Sequence, residues 1–82
     1  MNLRPETIAA VEDEIARGRA KHAERSMSGP LMDDYARLRV LQDEVHEVWA
    51  AAIMLRTVEG PHGLRAELTQ VAACALAWLE RL

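Results

Sequence analysis

Two short segments rich in glycine and proline divide this chain into three parts, and each part has the spacing of an amphipathic helix. The breakers are residues 26–30 and 59–63. Neither segment continues a helix, because proline lacks the N–H that an inner helical position donates and glycine favours turns. The pattern predicts three helices, over about residues 5–25, 33–57 and 62–81, and no strand.

Apolar residues recur at steps of three and four in the second and third parts, which is the period of one helix face. In the second part they are Leu38, Leu41, Val45, Val48, Ala52 and Leu55, and in the third Leu64, Leu68, Val71, Ala75, Leu79 and Leu82. Pro5 and Glu6 suit the first turn of helix one. Asp33 or Asp34 suits the N-cap of helix two.

The chain is short for the apolar surface that it carries. A domain of 82 residues buries only roughly 60% of its unfolded surface. Residues 48–55 and 71–79 contain no charge, so these turns have no polar face for water. We therefore expect one all-α domain over residues 1–82, an antiparallel three-helix chain that completes a four-helix-type bundle as a homodimer or homotetramer. The alternative is an alanine-rich monomer.

Charge and cysteine content limit the kinds of partner and the cellular compartment that we expect for this chain. The net charge is -3, and residues 32–82 hold five basic and eight acidic groups. A nucleic-acid partner is not expected, and a DNA-binding repressor ranks last, because both need clustered Lys and Arg. Cys74 is the only cysteine, which favours a reducing, cytoplasmic setting. The uncharged runs are shorter than the roughly 20 residues of a membrane span, so no membrane association is expected.

Acidic side chains recur beside the two apolar seams. Glu44 and Glu47 lie three residues apart and share one helix face, and Glu67 and Gln70 repeat that spacing, with Asp43 nearby. If helices two and three pack antiparallel, both pairs border one interface. Converging carboxylates repel each other and resist desolvation, so a divalent cation, Mg²⁺ or Mn²⁺, fits among them.

A simpler interpretation of the same acids stays open at this point. Residues 43, 44 and 47 also fit the solvated side of an amphipathic helix, with Arg37, Arg39 and Arg56 as counter-charges. Acids at this spacing are common on exposed helices.

The order of these acids resembles a known signature. Glu44-x-x-Glu47, then nineteen residues, then Glu67-x-x-Gln70 is similar to the Glu-x-x-Glu and Glu-x-x-Asp halves of the MazG-like, all-α nucleotide pyrophosphohydrolases. With a weaker match at residues 19–22, the resemblance covers about residues 15–82. The one departure at a key place is Gln70, which stands where the family has an acid and brings no charge to a metal.

The resemblance implies Mg²⁺-dependent hydrolysis of nucleoside triphosphates, or dUTP-like nucleotides, to monophosphate and pyrophosphate. Carried over position by position, it gives metal ligands at Glu44, Glu47, Glu67 and, more weakly, Gln70. Asp43 or Glu44 would take the proton of the attacking water, and Lys21 and Arg65 would contact the triphosphate. The alternative is a catalytically weak or inactive nucleotide-binding or interaction module of the same fold.

Overall fold

Three α-helices account for most of the chain in a computed structural model that describes residues 2–82. They are α1 (Pro5–His22), α2 (Asp34–Trp49) and α3 (Leu64–Leu79). No strand occurs in residues 2–82, so the predicted all-helical class is confirmed. Met1, where the expected domain begins, lies outside the described residues.

Helix α1 ends earlier than its sequence pattern indicates. Pro5 opens it, and Ala23, with φ of 48°, directs the backbone away from the helical path while its N–H still bonds to the Arg19 carbonyl. A 3₁₀ turn, Ala23–Arg25, follows. The last three residues of the expected helix therefore form a tighter turn that leads into the loop.

A buried arginine holds the loop between α1 and α2. Arg37 Nε donates to the Met27 carbonyl (2.8 Å), and Nη2 donates to the Gly29 carbonyl (2.7 Å). Asp34 lies 3.3 Å from Nη1 of the same guanidinium. The expectation that Arg37 is a solvated counter-charge of the acidic face is wrong, because the loop folds over its side chain.

Helix α2 has a side-chain cap at its start and a wider turn at its end. The Asp33 carboxylate accepts a hydrogen bond from the Ala36 N–H (2.8 Å), which satisfies one of the donors left free in the first turn. After Trp49 the backbone continues as a π-helical segment, Ala50–Leu55, and ends where Arg56 adopts a left-handed φ of 53°. The second helix was predicted to end at about residue 57, and the helical path ends two residues earlier, at Leu55, after a change in helix type.

Helix α3 lies at the centre of the fold. Trp78 Nε1 donates to Asp34 (3.1 Å), and the Leu64 N–H donates to the Thr57 carbonyl (2.8 Å), so α2 and α3 run antiparallel. Helix α1 also packs on α3, but within residues 2–82 no Cα atom of α1 comes within 8 Å of one in α2. A groove over α3 therefore separates α1 from α2.

The core of the single chain is built from small residues. Its buried apolar side chains are Val11, Ala51, Ala73 and Ala77. Alanines on α3 let the neighbouring helices approach closely, but they bury little apolar area per residue. Val45 and Leu68, which the sequence pattern assigns to the interhelical seams, are each about half exposed.

Large apolar side chains instead line the outside of α2 and α3. On α2 they include Leu38, Val45 and Trp49, which form one row, and on α3 they are Leu68, Leu76 and Leu79. Leu68 and Leu79 lie on the side of α3 opposite the buried Ala77, as a rotation of about 100° per residue requires, and Leu76 lies between the two sides. Within residues 2–82, no helix has the length and apolar content that crossing a membrane takes.

Candidate functional site

The groove over α3 contains a cavity of about 340 Å³, which we call the central cavity. Ala73, Cys74 and Ala77 of α3 line it, together with Ile15 of α1 and Val40 of α2. Its volume falls within the range of small-molecule sites in proteins. The small side chains of α3 are what leave this space open between the outer helices.

Acidic and basic groups face this same cavity. Glu44 and Gln70 contribute carboxylate and amide oxygens, while Arg19, Lys21 and Arg25 contribute positive charge from the end of α1 and the 3₁₀ turn. Among the described residues, none of these three basic groups has a carboxylate within 4.0 Å. Unpaired positive charge beside an acid is an arrangement that suits a phosphate bound with a metal ion.

Glu44 is the most perturbed carboxyl group of the site. Partial burial raises its pKa, and the negative charges of Glu67, Glu47, Glu14 and Asp43 raise it further, in that order. These charges act on Glu44 from all three helices. The surroundings of Glu44 therefore disfavour its ionised form unless a cation binds beside it.

The Glu67 carboxylate is buried, and within the described part of the chain only one of its two oxygens has a partner nearby. Its side chain is 4% exposed, and its Oε1 lies 3.7 Å from His62 Nδ1. Among the described residues, Oε2 of Glu67 and Oε2 of Glu44 have no hydrogen-bond partner. Unsatisfied buried acceptors of this kind cost about 1–3 kcal/mol each, so the α2–α3 interface here is not arranged for stability.

The other predicted ligands lie around these two residues in different settings. Glu47 and Asp43 are exposed on α2, yet their charges act on Glu44. Gln70 is half-buried on α3 and lines the central cavity. Among residues 2–82, no three His, Cys, Asp or Glu side chains stand in an arrangement that could hold a metal ion.

The two residues predicted to contact substrate lie in different cavities. Lys21 lines the central cavity. Arg65 lines a second cavity of about 620 Å³, between α1, the loop at residues 59–63 and the start of α3, and its Nε lies 2.9 Å from the Glu59 carboxylate. Lys21 and Glu44 thus line the same cavity, whereas Arg65 lines the second cavity and is paired with Glu59.

Glu14 is a member of the site that the sequence reading missed. It lies on α1, where its carboxylate binds the Arg17 guanidinium through both oxygens, one of them 3.1 Å from Nε. Glu14, Arg17 and Gln70 line both cavities and form the boundary between them. Its position in the sequence could have indicated this role. Glu14 follows Val11 by three residues, which puts both side chains on one side of α1, and Val11 is buried in the structure.

Cys74 lies on the floor of the central cavity as a half-buried free thiol. Burial raises its pKa to about 11, and the charges of Glu44 and Glu14 add to this effect. The thiol is therefore protonated at neutral pH. It serves the site as a small apolar surface rather than as a nucleophile.

Compared with protein families, with curated proteins and with solved structures, the chain finds no match in any of the three.

Proposed function

We propose that this protein is a divalent-metal-dependent nucleotide pyrophosphohydrolase that cleaves nucleoside triphosphates to monophosphate and pyrophosphate. The observation that carries the proposal is the mixed lining of the central cavity, where Glu44 and Lys21 face one space. The acidic side suits a metal, and the unpaired basic side suits phosphate oxygens that the metal leaves uncovered. The apolar floor is suited to a base or sugar.

The residues at the acidic side have the oxygen donors that Mg²⁺ or Mn²⁺ prefers, although no three of the described acidic side chains are arranged to hold the ion in this structure. Glu44 and Glu67 each have a carboxylate oxygen without a partner among the described residues, and the charge of Glu67 opposes ionisation of Glu44. A divalent cation would use the free oxygens and relieve the repulsion. Carboxylate and amide oxygens are the hard ligands that these cations prefer.

In this proposal, Glu44, Glu47 and Glu67 hold the cation, and Gln70 adds a neutral oxygen. Such a cation would supply positive charge that neutralises the phosphate and makes water more acidic. Asp43 or Glu44 accepts the proton of the attacking water. Lys21 binds the triphosphate in the central cavity, and Arg65 binds it only after leaving Glu59.

The test is product formation from a panel of nucleoside and deoxynucleoside triphosphates with Mg²⁺ or Mn²⁺, read by chromatography of the monophosphate. We expect Glu44→Gln to lower the rate roughly 100-fold or more, the usual contribution of a ligand or general base. Glu12→Gln is the matched control, because it removes an exposed acid from α1. An inactive wild-type protein, or equal rates for all three, would rule out the hydrolase.

A second candidate is a helical module that binds a nucleotide or another protein without turnover. Two observations favour it: the uncharged Gln70 among the ligands, and the separation of the carboxylates in the described structure. An experiment with a fluorescent triphosphate distinguishes this module from the hydrolase. The module should bind the triphosphate, and the triphosphate should be recovered intact after incubation with Mg²⁺.

The proposal includes self-association in a cytoplasmic setting. The exposed apolar rows on α2 and α3 give a surface that a second copy can cover, completing a four-helix-type bundle as a homodimer or homotetramer. A two-fold axis would bring identical rows together. The lone Cys74 is compatible with a reducing compartment.

A further inference from the structure

Three basic side chains line the central cavity without an ionic partner. Arg19 and Lys21 belong to the last turn of α1, and Arg25 belongs to the 3₁₀ turn that follows. Among the described residues, no carboxylate oxygen lies within 4.0 Å of their side-chain nitrogens. The chain carries 13 acidic residues against ten Lys and Arg, so a shortage of acids does not explain these unpaired charges.

The path of the backbone gives one of these residues a position that helix stability does not require. Basic residues in the last turn of a helix interact favourably with its dipole, which accounts for Arg19 and Lys21. Arg25 lies beyond Ala23, where a φ of 48° takes the chain out of α1. It nevertheless lines the same cavity as the other two.

The loop between α1 and α2 fixes the Arg19 guanidinium. Its Nε donates to the Ser28 hydroxyl (3.0 Å). The carbonyls on both sides of Ser28, those of Met27 and Gly29, accept hydrogen bonds from the buried Arg37. The contact with Ser28 uses Nε alone, so the Nη groups of Arg19 remain for a bidentate contact with an anion.

The two acids that line the central cavity do not offset these charges. Glu14 binds the Arg17 guanidinium, and Glu44 forms no ion pair with any basic group in residues 2–82. The end of the cavity at α1 and the 3₁₀ turn therefore carries positive charge that the described part of the chain leaves unpaired. An anion in the cavity would neutralise it.

We infer that Arg19, Lys21 and Arg25 form a phosphate site that needs no metal ion. A phosphate group carries about two negative charges at neutral pH and several acceptor oxygens, which three cationic donors match. Ile15 and Val40 line the same cavity and suit the apolar part of an organic phosphate. The inference rests on the proposed function for the choice of cavity, but it does not depend on a cation or on hydrolysis.

An NMR titration of metal-free protein, prepared on a chelating resin and kept at constant ionic strength, tests the site. The probes are inorganic phosphate, adenosine monophosphate and adenosine. The monophosphate should bind at least about tenfold more tightly than adenosine, because only the monophosphate brings the charge. Weaker binding of inorganic phosphate would assign the site to an organic phosphate, and equal binding would assign it to free phosphate.

Arg19→Gln and Arg25→Gln should each weaken binding of the monophosphate about tenfold, since each removes a charge-assisted hydrogen bond. Arg39→Gln is the matched control, because Arg39 is an exposed arginine that lines neither cavity, and it should bind as the wild type does. All three side chains are exposed, so the variants should fold, and their NMR spectra show whether they do.

Equal affinity for adenosine and its monophosphate, or equal affinity in all three variants, overturns the inference. The proposed hydrolase would still stand, because its cation could bring the phosphates. Monophosphate binding without metal, together with intact nucleoside triphosphates in the hydrolysis assay, would keep the phosphate site and rule out the hydrolase.

Discussion

Glu67 and Glu44 oppose each other's charge across the α2–α3 interface, and each keeps one carboxylate oxygen without a hydrogen-bond partner among the described residues. Like charges in a partly desolvated interface weaken the folded state. The natural sequence nevertheless carries both. Such a conflict between stability and local chemistry is typical of functional sites.

The first prediction concerns stability in the absence of metal. The raised pKa of Glu44 means that the folded state binds its proton more tightly than the unfolded state does. The contribution of Glu44 to the free energy of unfolding is therefore fully present below its ordinary pKa of 4.5. It is lost as the pH rises through the higher pKa of the folded state. Glu44→Gln should therefore stabilise the metal-free protein at neutral pH, because the amide carries no charge for Glu67 to repel.

Urea denaturation with a chelator present, at neutral pH and at about pH 4, measures this effect. The advantage of Glu44→Gln should shrink at the lower pH, where the wild-type carboxyl is mostly protonated in both states. Adding Mn²⁺ should stabilise the wild type only. A destabilised Glu44→Gln at neutral pH would contradict the prediction, and Glu12→Gln shows the effect of losing a charge elsewhere.

The second prediction is low reactivity of Cys74. Its pKa of about 11 lies two units above the ordinary value of 9.0, so the thiolate fraction at pH 8 falls about 100-fold. Alkylation by iodoacetamide, followed by mass spectrometry, should be roughly 10- to 100-fold slower than for an exposed cysteine, because the more basic thiolate is also a stronger nucleophile. Denaturant should restore the ordinary rate. Rapid labelling of the folded protein would show that the thiol is neither buried nor near the acids.

The third prediction concerns Arg37, which donates to the Met27 and Gly29 carbonyls. Arg37→Ala leaves these acceptors unpaired and opens the loop, so we expect a loss of about 2 kcal/mol in unfolding free energy. Arg39→Ala, two residues away and exposed, should change it by less than about 0.5 kcal/mol. Equal thermal stability of the two variants would contradict the role given to Arg37.

The fourth prediction contrasts two glycines. A Cβ at Gly63 would overlap the Glu59 carbonyl oxygen, so Gly63→Ala must move the backbone before α3 and should destabilise the protein. A Cβ at Gly18, within α1, meets nothing within 4 Å. Gly18→Ala should stabilise by about 0.5–1 kcal/mol, because alanine favours helix. Thermal unfolding that moves both variants in the same direction would contradict this.

The helices themselves could be read from the sequence because their signals are local. Breaker segments and the spacing of apolar residues predicted three helices. Residue type limited the cap of α2 to Asp33 or Asp34, and the structure shows that it is Asp33. The π-helical segment did not follow, since Ala-Ala-Ala-Ile-Met-Leu is equally compatible with an α-helix. Its wider turns depend on how the segment packs against α3.

The site was only partly predictable, for a related reason. The spacing of Glu44 and Glu67 is visible in the sequence, but the part played by Glu14 depends on which side of α1 faces α3. The burial of Arg37 depends in the same way on the path of a loop. Contacts between distant segments have no local signal in one sequence.

The last prediction concerns self-association through the exposed apolar rows. Trp49 is 52% exposed on α2, and a large aromatic at that exposure is a common anchor of protein interfaces. Trp49→Glu would place a charge within the covered surface, so we expect it to shift a dimer or tetramer to monomer in analytical ultracentrifugation at micromolar concentration.

Leu31→Glu is the control for Trp49→Glu, because Leu31 is 60% exposed in the loop before α2 and belongs to neither row. It should leave the sedimentation coefficient unchanged, which separates a loss of the interface from a general effect of added charge. A wild-type protein that sediments as a monomer would refute the self-association proposal. The apolar rows on α2 and α3 would then need an occupant other than a second copy of the chain.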